Sequence, residues 1–225
     1  CVISMADFAE ARDMVMALKN KYWTDGLYSY KGIQKRVCFH SREIRGRKDA
    51  FNPDIIDYKS FVADLSQLMA AIPMCIYASH IDKERHVNQY IHPIEPYDLC
   101  MTFVLERILR DLPVNQNCVI ILESRGAKED RTVLDFIKGL INNGTRFHPA
   151  SHFSRIKGVY FNPKWCKAAD DRMSYWELEL ADLCAYPIQK FFVYGTMDLA
   201  FQVILPKLSH YPDHMGKGLK SFPIT

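Results

Sequence analysis

The sequence predicts an α/β fold in which parallel strands alternate with helices. From residue 74 onward, apolar runs of strand length alternate with longer stretches that carry helical periodicity. The stretches between the strands are long enough for crossover connections, which join parallel strands. Hydrophobic residues make up 48% of the 225-residue chain. That share supports a substantial core and excludes a chain that is disordered along most of its length.

The first part of the chain predicts a strand end followed by a helix. Residues 1–5 are mostly apolar, and apolar side chains then recur at helical spacing from Phe8 to Tyr22, until Asp25-Gly26 ends the pattern. Because the chain enters this helix so abruptly, we expect at least one further strand to precede residue 1 in an intact domain.

A second amphipathic helix is predicted at residues 58–72. Its apolar residues follow the i, i+3, i+4, i+7 spacing of one helix face, and Pro73 ends it. The segment before it, residues 31–48, is polar apart from the apolar island Val37-Cys38-Phe39 and predicts a basic loop.

The second half of the chain contains the alternating strands and helices on which the predicted fold class rests. We expect a strand at 74–81, a helix at 97–112, a fully buried strand at 118–122, a helix at 128–143 ended by Gly144, a strand at 157–161 and a last helical stretch at 198–208. A long helix should begin with the capping-box pair Ser174 and Glu177, and Pro187 should bend or end it near Tyr186. No repeat or Ser/Gly linker interrupts residues 1–225, which therefore predict a single domain.

The composition argues against a strongly basic nucleic-acid binder and against a membrane-spanning protein. The formal net charge is only +3, and no apolar run approaches the roughly eighteen residues of a membrane span. The seven cysteines include no Cys-x-x-Cys pair and are scattered among apolar residues. This pattern favours reduced core cysteines over disulfides or zinc ligands, and hence a reducing compartment such as the cytoplasm. Gly-rich phosphate loops, the dinucleotide fingerprint and the Gly-x-Ser-x-Gly elbow are all absent from the sequence.

Two predicted strands end in charged residues. Glu123 and Arg125 follow the strand at 118–122, and Asp82 follows the strand at 74–81. Ligands of open α/β sheets bind at the carboxyl ends of the strands, so these residues are candidates for a site. The alternatives are a solvated loop for Glu123 and Arg125, and a turn residue for Asp82.

The long C-terminal helix supplies two further carboxylates. Asp182 is the only charge between Leu180 and Tyr186, and Glu179 lies one residue before that apolar stretch. A buried carboxylate needs a cation, a metal or hydrogen-bond donors, so an Asp satisfied by an Arg or by the backbone is the alternative. Carboxylates that meet at a sheet edge favour a hard divalent cation, as in two-metal phosphodiester cleavage.

A basic segment supplies a candidate surface for a polyanion. Residues 31–48 hold seven basic residues and one acidic residue, a local charge of +6. His40 lies within this segment and has the chemistry to hold phosphate or to move protons. A solvated loop is the alternative. The candidate nucleic-acid contacts are Lys35, Arg36, Arg42, Arg45, Arg47 and Lys48.

Four motifs, in chain order, resemble a known bacterial family. They are Phe39-His40-Ser41 with Glu43-Ile44-Arg45, Glu123-Ser124-Arg125-Gly126 with Glu129-Asp130, Leu180-Ala181-Asp182-Leu183 with Ala185-Tyr186-Pro187, and Gly216-Lys217-Gly218-Leu219-Lys220 with Phe222-Pro223. Together they are similar to the uncharacterised family called domain of unknown function 3800. The resemblance implies a ribonuclease-H-like mixed sheet flanked by helices, and a metal-dependent nuclease-type site linked to mobile elements or phage defence.

The chain departs from that family at its start. Members typically begin with a strand that carries Asp-Glu-Ser-Gly, whose Asp would be central to a ribonuclease-H-like metal cluster, and this motif is absent here. Either the first strand is missing from these residues, or the protein lacks the central carboxylate and with it efficient two-metal catalysis.

The resulting expectation is a nuclease that uses Mg²⁺ or Mn²⁺. Glu123 and Asp182 would be metal ligands, with Asp82 or Glu179 as auxiliary ligands, and Arg125 and His40 would hold phosphate or move protons. One alternative is a non-catalytic nucleic-acid- or protein-binding module, and another is a small-molecule phosphoesterase. An incomplete sheet edge would also permit a homodimer.

Overall fold

A computed structural model describes residues 1–163, 165 and 175–223, which divide into two compact units. Unit 1 comprises Cys1, Ile3–Cys75 and Pro163–Lys207, and unit 2 comprises Val2, Ile76–Asn162 and Leu208–Thr225. Neither unit is a contiguous stretch of sequence. The single-domain organisation stays a prediction.

The described elements confirm a mixed α/β class. In chain order they are α1 (Phe8–Tyr22), β1 (Leu27–Tyr30), β2 (Ile33–Arg36), α2 (Ser41–Gly46), α3 (Tyr58–Ala71), β3 (Ala78–Ile81), α4 (Lys83–Gln89), α5 (Pro96–Asp111), β4 (Cys118–Glu123), α6 (Ala127–Asn143), α7 (Ala150–Phe153), β5 (Ile156–Asn162), α8 (Trp176–Tyr194), α9 (Leu199–Ile204) and β6 (Leu219–Phe222). The predicted strands at 74–81, 118–122 and 157–161 correspond to β3, β4 and β5, and each strongly periodic stretch forms a helix.

An aromatic core holds unit 1 together. Phe61 of α3 is fully buried, and its ring lies 5.4 Å from Trp23, 5.4 Å from Phe51 and 5.7 Å from Phe39, measured between centroids. Aromatic side chains bury large areas, and tilted or edge contacts of this kind add to that stabilisation. The apolar island before α2 thus joins the core through Phe39.

A β-hairpin replaces the first half of the predicted basic loop. Strands β1 and β2 pair antiparallel, with Tyr30 opposite Ile33. The two residues between them, Lys31 and Gly32, have φ values of 52° and 77°. Positive φ at both positions gives the turn twist that suits a two-residue hairpin loop. The prediction of a loop at this point was wrong, because β2 is polar and exposed and shows no apolar alternation.

Unit 2 contains two parallel strand pairs beside helices. β4 pairs with β5, which confirms parallel pairing between two of the predicted strands, whereas β3 pairs in parallel with β6, a strand that was not predicted from the sequence. Leu109 of α5, Ile137 of α6 and Phe153 of α7 are fully buried in one apolar cluster. The fully buried strand predicted at 118–122 is wrong, because Val119 is 50% exposed. Within the described residues β4 pairs with β5 alone, which leaves part of its surface uncovered.

The helix α8 continues through Pro187 to Tyr194, so it does not end near Tyr186, and the bend that was the other alternative stays a prediction. Proline removes one backbone donor, but Pro187, Cys184 and Ile188 are all buried, and this packing maintains the helix. The predicted cap Ser174 lies outside the described residues. Among the helices that the structure describes, none combines the length and the apolar character needed to span a bilayer.

Candidate functional site

The site in unit 1 is organised where the chain enters α2. Val37, Cys38 and Phe39 are buried, and His40 follows in an extended conformation immediately before the helix. The backbone N–H of Ser41, the first residue of α2, donates to Asp182 Oδ2 of α8 over 2.7 Å. Asp182 therefore satisfies one of the N–H groups that every helix leaves unpaired at its start.

The imidazole of His40 lies between two carboxylates. Its Nδ1 is 3.7 Å from Glu43 Oε1, and its Nε2 is 4.0 Å from Asp182 Oδ1. The three side chains are between 20% and 29% exposed, so part of each is accessible, but the Nδ1 atom of His40 is buried and makes no hydrogen bond to the described residues. An imidazole has the chemistry of a residue that accepts a proton in one step and returns it in the next.

A buried ion pair fixes the segment that leads to His40. Lys19 Nζ of α1 lies 2.8 Å from Glu179 Oε1 and 2.7 Å from its Oε2, with both side chains at most 2% exposed. Lys19 also donates to Val37 O, and Phe39 N donates to Glu179 Oε2, each over 2.8 Å. Both oxygens of Glu179 thus accept protein donors, an arrangement typical of a structural ion pair and not of a metal ligand.

The predicted nucleic-acid contacts also belong to unit 1. Arg36 is half-buried, and the other five are exposed. The six residues are Lys35, Arg36, Arg42, Arg45, Arg47 and Lys48.

Several of these cations rest on aromatic rings. The guanidinium carbon of Arg45 lies 3.3 Å from the ring centroid of Tyr186, and that of Arg47 lies 5.0 Å from the Tyr58 centroid. Such stacking holds a guanidinium in place while it stays accessible to phosphate. Trp165 adds an exposed indole whose centroid is 6.2 Å from that of His40.

The strand-end residues belong to unit 2. Glu123 ends β4, is exposed, and lies opposite Asn162 of β5. The Arg125 guanidinium carbon lies 5.0 Å from the Tyr97 ring centroid, and the Arg125 backbone N–H donates to Asp130. Glu123 and Asp182 lie in different units, so their joint metal cluster stays a prediction.

Asp82 serves as a helix cap. Its Oδ1 accepts from the backbone N–H of Arg85 over 3.1 Å at the start of α4. This arrangement agrees with the alternative that the sequence left open, a turn residue. A capping carboxylate that has such a local partner needs no metal to account for it.

The divalent ion that the sequence predicts would need several carboxylate or imidazole ligands close together. Across residues 1–163, 165 and 175–223, no group of three or more His, Cys, Asp or Glu side chains has the arrangement of a metal site. Asp182 and Glu43 are partly exposed and each offers oxygen atoms, but they contact different ring nitrogens of His40 and so do not form a ready pair of ligands for one ion. Glu43 was missed as a site residue, although its i+3 spacing from His40 would have placed it there had α2 been predicted.

Comparisons with protein-family models, with curated proteins and with solved structures found no match. The chemistry of the site is therefore interpreted from its own residues.

Proposed function

We propose that this protein hydrolyses phosphodiester bonds in nucleic acid, on a ribonuclease-H-like fold. The observation that carries the proposal is the imidazole of His40 between Glu43 and Asp182. General acid–base catalysis requires such a group close to the proton that it transfers.

The surroundings of His40 supply the means to bind the substrate. The exposed cations of β2 and α2 suit the phosphate backbone, and the indole of Trp165 suits a stacked base. Arg45, whose guanidinium stacks on the Tyr186 ring, is one candidate phosphate contact of this set.

Mg²⁺ or Mn²⁺ is part of this proposal. Asp182 would be a ligand of the ion, which would supply activated water and neutralise charge on the phosphate when bound, with water completing its coordination. Asp182 also fixes the start of α2 through Ser41, and His40 accepts or donates the proton through its ring nitrogens. Glu179 contributes indirectly, by keeping Phe39 and hence His40 in position.

The test is a cleavage assay with labelled single- and double-stranded DNA and RNA in the presence of Mn²⁺. We expect His40→Gln to lower the cleavage rate by roughly 10²–10⁴-fold while affinity for the substrate changes little. Asp182→Asn should act similarly and should also abolish any Mn²⁺-dependent rise in the thermal midpoint, because binding to the native state stabilises it. His92→Gln, at an exposed position in unit 2, is the matched control.

Three outcomes would contradict the proposal. Cleavage that His40→Gln leaves intact would remove His40 from the chemistry. Binding without cleavage, lost in Arg42→Gln, would instead support the non-catalytic binding module. Hydrolysis of a small phosphodiester with the same rate in Arg42→Gln as in the parent protein would favour the small-molecule phosphoesterase.

A further inference from the structure

A second concave site lies in unit 2, among residues that the proposed function does not use. It is a cavity of about 250 Å³ beside one face of α5. Phe103, Arg107 and Arg110 contribute to it at i, i+4 and i+7, the spacing of one helix face. Lys220 reaches the cavity from β6, where it pairs with Ser79 of β3.

Contacts with the protein hold two of its cations in place. Arg107 donates from Nε to Gly216 O over 3.1 Å and from Nη1 to Phe103 O over 2.9 Å. Lys220 Nζ lies 5.6 Å from the ring centroid of Phe103 and 5.9 Å from that of Phe222. Burial lowers the pKa of Arg107, and burial together with the charge of Arg107 lowers that of Lys220. The positive charges of Arg107 and Lys220 lie close to each other, so an anion bound between them would reduce their repulsion.

The acidic residue of the cavity does not cancel this charge. The lining holds three cations and one carboxylate, Glu106, which leaves a local charge of +2. Glu106 is 7% exposed, and its Oε1 accepts from the Thr145 hydroxyl over 2.7 Å. Arg110 does pair with Asp111, but one hydrogen bond from Nε and one from Nη2 leave the guanidinium further donors.

Aromatic surface adjoins these cations. Phe147 lines the cavity and is 74% exposed, and the Phe103 ring lines it from α5. His148 completes this side, with its ring stacked on His152 at 4.3 Å between centroids. Cations that fix a phosphate beside flat apolar rings are the combination that recognises a nucleotide.

We propose that this cavity binds a nucleotide, with the phosphate between Arg107, Arg110 and Lys220 and the base against Phe147. The cavity volume of about 250 Å³ lies below the roughly 300–1,000 Å³ of typical ligand sites, so the cavity would enclose no more than one nucleotide unit. The unit is either a free mononucleotide or one nucleotide of a strand. The proposal does not depend on phosphodiester cleavage, because its residues all belong to unit 2.

The test is calorimetric titration of the full chain with adenosine monophosphate, inorganic phosphate and adenosine. We expect saturable binding of the monophosphate, tighter than that of phosphate or adenosine. Lys220→Gln should weaken it about tenfold, because a charge-assisted hydrogen bond is lost. Lys217→Gln removes the same charge from the neighbouring exposed Lys that pairs with Asp213, and should change the affinity less than twofold.

Two further variants separate loss of nucleotide binding from loss of protein stability, and contact with the base from contact with the phosphate. Arg110→Gln, at an exposed position, should weaken monophosphate binding even if Lys220→Gln lowers stability. Phe147→Ala should weaken the monophosphate more than it weakens phosphate. No saturable binding, equal effects of Lys220→Gln and Lys217→Gln, or phosphate binding as tight as the monophosphate would each overturn the proposal.

A parallel titration with a short oligonucleotide identifies the source of the nucleotide. If Lys220→Gln weakens binding of the oligonucleotide as well as of the monophosphate, the natural ligand is part of a strand. If only monophosphate binding falls, the ligand is a free nucleotide. Either result supports a nucleotide site, because both require the Lys220 charge.

Discussion

The residue that positions the candidate site most directly is Glu179, which does not face solvent at all. Its carboxylate pairs with Lys19 and also accepts the Phe39 backbone N–H, one residue before His40. Charges that are withdrawn from water in this way depend on each other, because either one left alone would remain unpaired and desolvated. The pair therefore connects the stability of unit 1 to the orientation of His40.

Removal of one partner should be costly. We predict that Lys19→Met lowers the free energy of unfolding by about 3 kcal/mol, because it leaves the Glu179 carboxylate buried without its cation. Urea unfolding followed by tryptophan fluorescence measures this change within unit 1, since Trp23 and Trp176 both lie there.

The double variant Lys19→Met with Glu179→Gln distinguishes the pair from simple loss of packing. The amide oxygen of Gln can still accept the Phe39 N–H, and no buried charge remains, so at least half of the lost stability should return. A double variant no more stable than Lys19→Met would show that the charge of Glu179 is not the cause.

Sequence reasoning identified His40 and Asp182 because a histidine within a basic segment and a lone charge within an apolar helix are visible without a fold. Glu43 and Lys19 were missed for physical reasons. Glu43 becomes a neighbour of His40 only once α2 forms, and Lys19 lies on a helix whose apolar periodicity does not mark a buried cation. Contacts between residues far apart in sequence, such as Lys19 with Glu179, leave no local signal.

At the scale of elements, long amphipathic stretches were predictable and short polar ones were not. α1, α3, α5 and α6 agree with the predicted helices to within a residue or two, because their apolar faces have the helical period. The hairpin β1–β2 depends instead on a two-residue turn with positive φ. The short helix α4 begins at the cap Asp82 and carries too few apolar residues to display a period.

The end of α6 depends on a residue that must be glycine. Gly144 follows α6 with φ 72° and ψ −160°, a region that is essentially restricted to glycine. A Cβ there would lie 2.7 Å from Ala150 N and closer still to His148 O. We predict that Gly144→Ala lowers the free energy of unfolding by about 2 kcal/mol or more, measured by urea unfolding.

Gly139 provides the matched control within the same helix. A Cβ at Gly139 would meet nothing within 4 Å, and alanine is favoured over glycine inside a helix by about 1 kcal/mol. Gly139→Ala should therefore stabilise the protein by up to that amount. A loss at Gly139→Ala equal to that at Gly144→Ala would mean that the constraint does not lie at the helix end.

At the scale of the whole molecule, one ionisable group in each unit limits stability at opposite ends of the pH range. Burial opposes ionisation of Asp111, but hydrogen bonds from Arg110, Tyr77 and His210 outweigh it and hold the Asp111 pKa at about 2. Burial raises the pKa of Tyr28, in unit 1, to about 12. The unfolded chain therefore binds protons more readily than the folded one at acid pH, and less readily at alkaline pH.

We predict that the free energy of unfolding is greatest near neutral pH and falls at both extremes. The contribution of Asp111 is on the order of 2 kcal/mol at pH 7 and is lost between about pH 4 and pH 2, because its ordinary pKa lies near 3.9. That of Tyr28 is lost as pH rises from about 10 to 12. Urea unfolding by circular dichroism from pH 2.5 to 11 measures the larger part of the acid loss and the onset of the alkaline loss. Asp111→Asn should flatten only the acid side and Tyr28→Phe only the alkaline side; an acid loss unchanged in Asp111→Asn would contradict the assignment.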